Sequence, residues 1–182
     1  MTIHRPSRRQ ILRMAAALPS AVGLVACATQ SVNAASLPTG PIAPLVESDT
    51  WINTKPIVWH SLRGKVVMVE FWTFGCYNCQ NVLPAMKAAY ADYKSRGFTL
   101  LGVHSPEFEH EKKLSNVQAA VKKAGIEYPV ALDNDFANWR RYRNRYWPAL
   151  YLVDKRGVIR YTRIGEGGYQ ETRQWIEKLL VE

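Results

Sequence analysis

Lys65-Val66-Val67-Met68-Val69-Glu70-Phe71-Trp72-Thr73-Phe74-Gly75-Cys76-Tyr77-Asn78-Cys79 decides how this chain folds. Its first eight residues are a β-branched and aromatic run. Val66, Met68 and Trp72 fall on one alternating face and Val67, Val69 and Phe71 on the other. A strand apolar on both sides belongs at the centre of a covered sheet. From about Cys76 to Arg96 the spacing becomes helical, with Val82, Met86, Tyr90 and Tyr93 on one face and Gly97 as its end. Pro84 falls within that helix and removes one backbone bond, so a kink is expected there.

Beyond this junction the pattern alternates. A second buried strand is predicted over Phe98 to His104 and a helix over Glu111 to Ala124, with Leu114, Val117, Val121 and Ala124 inward. A short strand follows over Tyr128 to Leu132, then a short helix over Phe136 to Arg143 with Asp135 as its cap. Ala149 to Val153 and Val158 to Arg163 read as a hairpin across Asp154-Lys155-Arg156-Gly157. A final helix turns Trp175, Ile176, Leu179 and Leu180 inward. Strand, helix and strand followed by hairpin and helix predict an α/β sandwich around a mixed sheet.

The 182 residues suit one domain with extra length, and nearly half are hydrophobic, which excludes general disorder. A net charge of +9 is of the size that nucleic-acid binding would use, but Arg5, Arg8, Arg9 and Arg13 supply four of those charges before the first acid at Glu47. Ser7-Arg8-Arg9-Gln10-Ile11-Leu12, a short apolar stretch and small residues together read as an export signal over residues 1–34. Its arginine pair resembles a twin-arginine signal. The stretch is too short to persist as a membrane span. Leu24-Val25-Ala26-Cys27 resembles a lipobox, in which Cys27 would be lipidated; Val32-Asn33-Ala34 offers ordinary cleavage instead. Residues 35–50, with four prolines or glycines between Ser36 and Pro44, read as a flexible tether. The folded domain is expected over residues 51–182.

Cys76-Tyr77-Asn78-Cys79 lies where a buried strand meets a helix, the setting in which a Cys-x-x-Cys pair serves redox chemistry. Free amides and the macrodipole at a helix N-terminus favour a thiolate at Cys76. That thiolate would attack a partner disulfide, and Cys79, one turn further in, would resolve the mixed disulfide. Tyr77 and Asn78 bring no charge and are candidate client contacts, as are Trp72, Trp147 and His104. A zinc knuckle needs four ligands, and neither another cysteine nor a suitable pairing of His60, His104 and His110 supplies them, so no metal is expected. No cofactor beyond the redox-active Cys76–Cys79 disulfide is expected.

Glu70 is the one charge between Val66 and Cys79, in a strand predicted to be buried. Such a carboxyl carries a large desolvation cost or keeps its proton. Six residues before Cys76, it suits a proton acceptor for the Cys79 thiol. Pro148 precedes a strand, where proline is tolerated, and residues alone favour a trans bond there. Arg140, Arg141, Arg143 and Arg145, interleaved with Trp139, Tyr142, Tyr146 and Trp147, read best as a solvated helix face with inward aromatics; nucleic acid is not an expected partner. Gly165-Glu166-Gly167-Gly168 fails as a phosphate loop because position 170 is Gln170, and a turn is the better reading.

Glu70-Phe71-Trp72, the Cys-x-x-Cys pair and Trp147-Pro148-Ala149 together resemble the thioredoxin superfamily. That resemblance implies a three-layer sandwich, a cis Pro148 facing the cysteines, and Glu70 as the buried acid. Leu62-Arg63-Gly64-Lys65 is similar to TlpA-like exported thioredoxins. Gly102-Val103-His104-Ser105-Pro106-Glu107-Phe108, Tyr128-Pro129-Val130, Asp133-Asn134-Asp135, Asn144-Arg145-Tyr146-Trp147-Pro148-Ala149 and Gly165-Glu166-Gly167 resemble the C-terminal domain of DipZ proteins. This likeness implies a helix–strand pair inserted at 111–132 and a periplasmic or other extracytoplasmic oxidoreductase reducing disulfides of exported clients. DipZ proteins fuse such a domain to a membrane electron-transfer module resembling CcdA. This chain shows an export signal in its place, so a separate membrane donor of that kind is expected, with a monomeric protein bound to membrane only through a lipid anchor. Two alternatives stand beside this. A peroxiredoxin-like thiol peroxidase would share Thr73 of Pro-x-x-x-Thr-x-x-Cys, but Val69 occupies the proline position. A metal- or haem-delivery chaperone would more often separate its cysteines by three residues.

Overall fold

A computed structural model describes residues 48–182; the expected export signal, Cys27 and most of the tether lie outside the described residues. The seven residues of β2 (Val66–Trp72) are all buried, as their two apolar faces require. β2 pairs in parallel with β3 (Phe98–His104) and antiparallel with β5 (Ala149–Val153). β4 (Val130–Leu132) lies parallel to β3, and β6 (Ile159–Ile164) closes the hairpin with β5. A strand unforeseen in the sequence, β1 (Trp51–Ile52), pairs antiparallel with β4, giving a mixed six-stranded sheet in the order β1-β4-β3-β2-β5-β6. Residues assigned to the tether already belong to this edge. Thr50 O accepts from the Leu132 amide at 3.1 Å, and Ser48 Oγ donates to Leu132 O at 2.8 Å.

Two apolar clusters cover the sheet and make three layers. On one face Val66, Met68 and Trp72 pack with α1 (Tyr77–Tyr93), α2 (Leu114–Ala124) and α4 (Tyr169–Val181). On the other, Val67, Val69 and Phe71 meet Tyr142 and Trp139 from around α3 (Ala137–Arg141), with Leu62 and Trp59 from a 3-10 turn. α1 runs through Pro84 without interruption, and a 3-10 turn carries the chain to Gly97, whose φ of 85° ends it. The fold is the expected thioredoxin-like α/β sandwich, with α2 and β4 as the inserted pair.

Three local expectations are corrected. α2 begins at Leu114 rather than Glu111, because Lys113 is extended and Glu111 sits in a 3-10 turn, Glu109–Lys112. This rotation leaves Leu114 exposed instead of inward. The first turn of α3 is held mainly by Asp133, whose carboxylate accepts from the Asn138 amide at 2.8 Å and the Trp139 amide at 3.0 Å, while Asp135 receives the Ala137 amide at 3.2 Å. Tyr146, expected to pack inward, is 59% exposed.

Gly102 stands opposite Glu70 in the β2–β3 register. A Cβ there would lie 2.9 Å from Trp72 Nε1 and 3.1 Å from Tyr128 Cε2. Glycine is therefore what lets the Tyr128 ring cross β3 towards β2. Gly102→Ala is expected to destabilise the protein by about 1–3 kcal/mol through overpacking. Urea denaturation checks this; a variant as stable as wild type would mean the strand and rings yield easily.

Candidate active site

The strand-to-helix transition at residues 73–76 delivers Cys76 to the N-cap of α1. Its backbone is extended there, and its Sγ accepts from the Cys79 amide at 3.1 Å. The sulfur thus occupies the place where a capping side chain meets free helix amides. Cys76 is partly exposed, whereas Cys79, one turn on, is 4% exposed. Burial pushes the Cys79 thiol up, and its hydrogen bond with Cys76 adds to this. One sulfur faces outward at a polar cap and the other stays protonated inside.

Glu70 is 2% exposed and lies on the sheet face that α1 covers. Burial pushes its carboxyl up to about 7, partly relieved by the Tyr128 hydroxyl, which donates to Oε2 at 3.2 Å. The charges of Glu70 and Cys79 act on each other, so ionising one opposes ionising the other. Glu70 and Pro148 border a common crevice with Val82, Met86 and Leu150. The Trp147–Pro148 peptide is cis, against the trans reading of the residues alone and in agreement with the resemblance. Trp147 is half-buried, donates from Nε1 to Ser105 O at 3.0 Å, and packs on Trp139 with ring centroids 4.3 Å apart.

The remaining expected contacts divide. Tyr77, 75% exposed, and Asn78 project from the start of α1. Trp72 is 5% exposed and borders a cleft of about 330 Å³ between α1 and α2, together with Phe74, Cys79, Leu83, Ala120 and Ala124. His104 is wholly buried, so a client surface does not reach it. Its Nε2 meets Thr73 Oγ1 at 3.2 Å and its ring stacks on Phe74. Burial pushes its pKa down to about 4, against the pull of the Glu111 charge, so the imidazole is neutral at physiological pH.

Three participants escaped the sequence reading. Tyr128 was read as a strand residue, yet its hydroxyl reaches Glu70. Ser105 receives Trp147 at its carbonyl, takes the Trp72 carbonyl with its amide at 3.0 Å, and donates its hydroxyl to buried Asp133 at 2.9 Å. Glu111 was read as a helix start but is buried beneath the residues preceding Cys76. A polar residue just past a buried strand was the available signal for Ser105; nothing local marked the others. Among the described residues, no three His, Cys, Asp or Glu side chains form a group able to hold a metal. Nor is any described helix long and apolar enough to cross a membrane.

The Glu70 carboxyl makes stability depend on pH. Below the ordinary carboxylate pKa, folded and unfolded chains both hold the proton and burial carries no ionic cost. As pH rises towards about 7 only the folded chain holds it, and stability falls; above that the cost is complete, about 3 kcal/mol. Between about pH 4 and pH 8, the stability of Glu70→Gln relative to wild type is therefore expected to rise by about 3 kcal/mol. Urea melts at the two pH values check it, and a difference that does not change with pH refutes it.

Comparison with known proteins places these features in a lineage. The AhpC/TSA family model matches residues 40–162. Protein DipZ of Mycobacterium tuberculosis is 46% identical over 154 residues, covering 82% of this chain but 22% of that protein. The chain thus spans about a fifth of the DipZ length. The thiol-disulfide oxidoreductase YkuV of Bacillus subtilis is 23% identical, with 78% of this chain and 95% of that protein aligned. The crystal structure of a thiol-disulfide isomerase from Corynebacterium glutamicum superposes with a TM-score of 0.72 at 24% identity, covering 79% of this chain and 97% of that one. This chain belongs to the AhpC/TSA family of thioredoxin-like proteins and carries a DipZ-like domain of that fold.

Proposed function

We propose that this protein is an extracytoplasmic thiol–disulfide oxidoreductase that reduces disulfides of exported clients through Cys76 and Cys79. The observation that carries this reading is the asymmetry of the pair. Cys76 caps α1 at the surface with a helix amide aimed at its sulfur, while Cys79 is buried on the sheet face that carries Glu70. The name of the relative YkuV, a thiol-disulfide oxidoreductase, supports the same chemistry.

In the first step the Cys76 thiolate attacks one sulfur of a client disulfide. A Cys76–client disulfide forms and the other client sulfur leaves as a thiolate. Glu70, ionised to a useful extent near neutral pH, then takes the Cys79 proton. The Cys79 thiolate attacks the Cys76 sulfur, and the second client thiolate departs. The client has gained two electrons and the enzyme holds a Cys76–Cys79 disulfide. Returning it to the dithiol requires a reductant, for which we propose a separate membrane protein resembling CcdA. Exposed Tyr77 and Asn78 and half-buried Trp147 beside the cis Pro148 would form the surface on which a client strand rests, with buried Trp72 and His104 behind it. Residues 1–34 would direct export, residues after them would tether the domain, and Cys27 is the candidate lipid attachment point; a monomer suffices for this chemistry.

Reduction of insulin disulfides by the reduced protein tests the assignment. Cys76→Ser is expected to abolish it, and Cys79→Ser to accumulate a client joined to Cys76. Undiminished peroxide consumption by Cys79→Ser would point instead to a one-cysteine peroxidase. Release of that client by Cys79 is expected to slow about 100-fold in Glu70→Gln, and to lose its rise with pH below about 7. Unchanged release in stopped-flow measurements removes Glu70 from the mechanism. A reduction potential above roughly −150 mV, closer to DsbA than to thioredoxin, would reverse the proposed direction of electron flow.

A further inference from the structure

The exchange steps make no use of Glu111, yet it is a second wholly buried carboxylate close to the cysteines. It reaches the site from the 3-10 turn that precedes α2. Oε1 accepts from the Gly75 amide at 2.8 Å, and Oε2 accepts from the amides of Glu107 at 2.6 Å and Phe108 at 2.9 Å. Burial works against its charge, but the Phe108 amide, the Thr73 hydroxyl and the amides of Glu107 and Gly75 outweigh it and hold the carboxyl below its usual range. The contact with Gly75 is close enough that a Cβ at that position would overlap Oε1.

The Gly75 amide lies in the Phe74–Gly75 peptide, one peptide before the one that joins Cys76, so the Glu111 bond fixes the turn that leads into the residue carrying the attacking sulfur. The other restraints on this turn are the Cys76 amide bonding to Thr73 O at 3.3 Å and the exposed Gln80 side chain donating to Phe74 O at 2.9 Å. We propose that Glu111 is a positioning residue of the exchange reaction: its carboxylate holds the Gly75 peptide so that Cys76 presents its sulfur at the N-terminus of α1. This inference rests on the exchange reading and deepens it. An acceptor with two equivalent oxygens is needed, since donors approach from two sides. Glutamine offers one oxygen, and its NH₂ would confront either the Gly75 amide or those of Glu107 and Phe108. His104, neutral at physiological pH, hydrogen-bonds Thr73 Oγ1 and brings no countercharge, so the hydrogen bonds from Phe108, Thr73, Glu107 and Gly75 stabilise the anion.

A purely structural role, tying residues 107–108 to the turn, would also destabilise the protein when lost, so the test reads the sulfur itself. Iodoacetamide alkylation of Cys76 in the reduced full chain at pH 7 is expected to slow about tenfold in Glu111→Gln, the equivalent of one charge-assisted hydrogen bond. Gly75→Ala, which displaces the carboxylate from the same amide, is expected to slow it similarly. In a Glu111→Ala background the added methyl group has room, and Gly75→Ala should then change the rate little. Such non-additivity isolates the 75–111 contact. Wild-type alkylation rates in Glu111→Gln, or additive effects in the double variant, overturn the inference. Should Glu111→Ala fail to fold, Glu111→Gln and Gly75→Ala decide the matter by themselves. If the wild-type protein fails to reduce insulin, the exchange reading falls, while the alkylation rates still report whether Glu111 positions Cys76.

Discussion

Glu70 sits within β2, every residue of which is buried, and the structure around it is arranged to meet the cost of a carboxyl in that place. Gly102, its neighbour on β3, leaves a gap that the Tyr128 ring crosses to bring a hydroxyl to Oε2. One neutral donor softens the cost without removing it. The carboxyl therefore remains near the point of balance between its two protonation states at physiological pH. A salt bridge would have fixed the charge, and an apolar cage would have fixed the proton. In the proposed exchange, a group poised between the two would take a proton from a buried thiol such as Cys79 more readily than either.

The inserted segment does more than widen the sheet. β4 adds a strand beside β3, but the residues around it are directed back at the cysteines. Tyr128 partners Glu70, Glu111 holds Gly75, and Asp133 gathers Ser105 with the first turn of α3. Ser105 in turn holds the end of β2 and the indole of Trp147. The strand before the cysteines and the segment carrying cis Pro148, distant in sequence, already meet through the pairing of β2 with β5, and Ser105 adds a second link between them. All but one of these bonds use a side chain, so the arrangement depends on the identity of these residues as well as on where the insertion lies.

Much of this was legible along the chain. An apolar run on both faces fixes β2 in the sheet centre, because a buried strand must satisfy its backbone on both sides and can expose neither face. The change to helical period places Cys76 at a helix start and Cys79 one turn inside, and the lone acid of a buried strand marks Glu70. These are local facts of periodicity and chemistry. What stayed hidden follows from contacts between distant segments. Glu111 and Tyr128 carry no local sign of their partners, since their meaning comes from amides and a carboxyl 36 and 58 residues away. The same holds for β1, whose two residues become a strand only because β4 offers an edge.

Pro148 shows the division most plainly. Trans and cis differ by less than about 1 kcal/mol in an X-Pro bond, so no neighbouring residue settles the choice. The tertiary structure holds the bond cis between a tryptophan bonded to Ser105 and a carbonyl bonded to the Gly165 amide. The sequence alone thus determined the sheet centre, the exposed and buried cysteines and the buried acid, all of which follow from local pattern and desolvation. Only the folded chain decided what surrounds them, because hydrogen bonds between remote segments acquire their partners after the layers have packed.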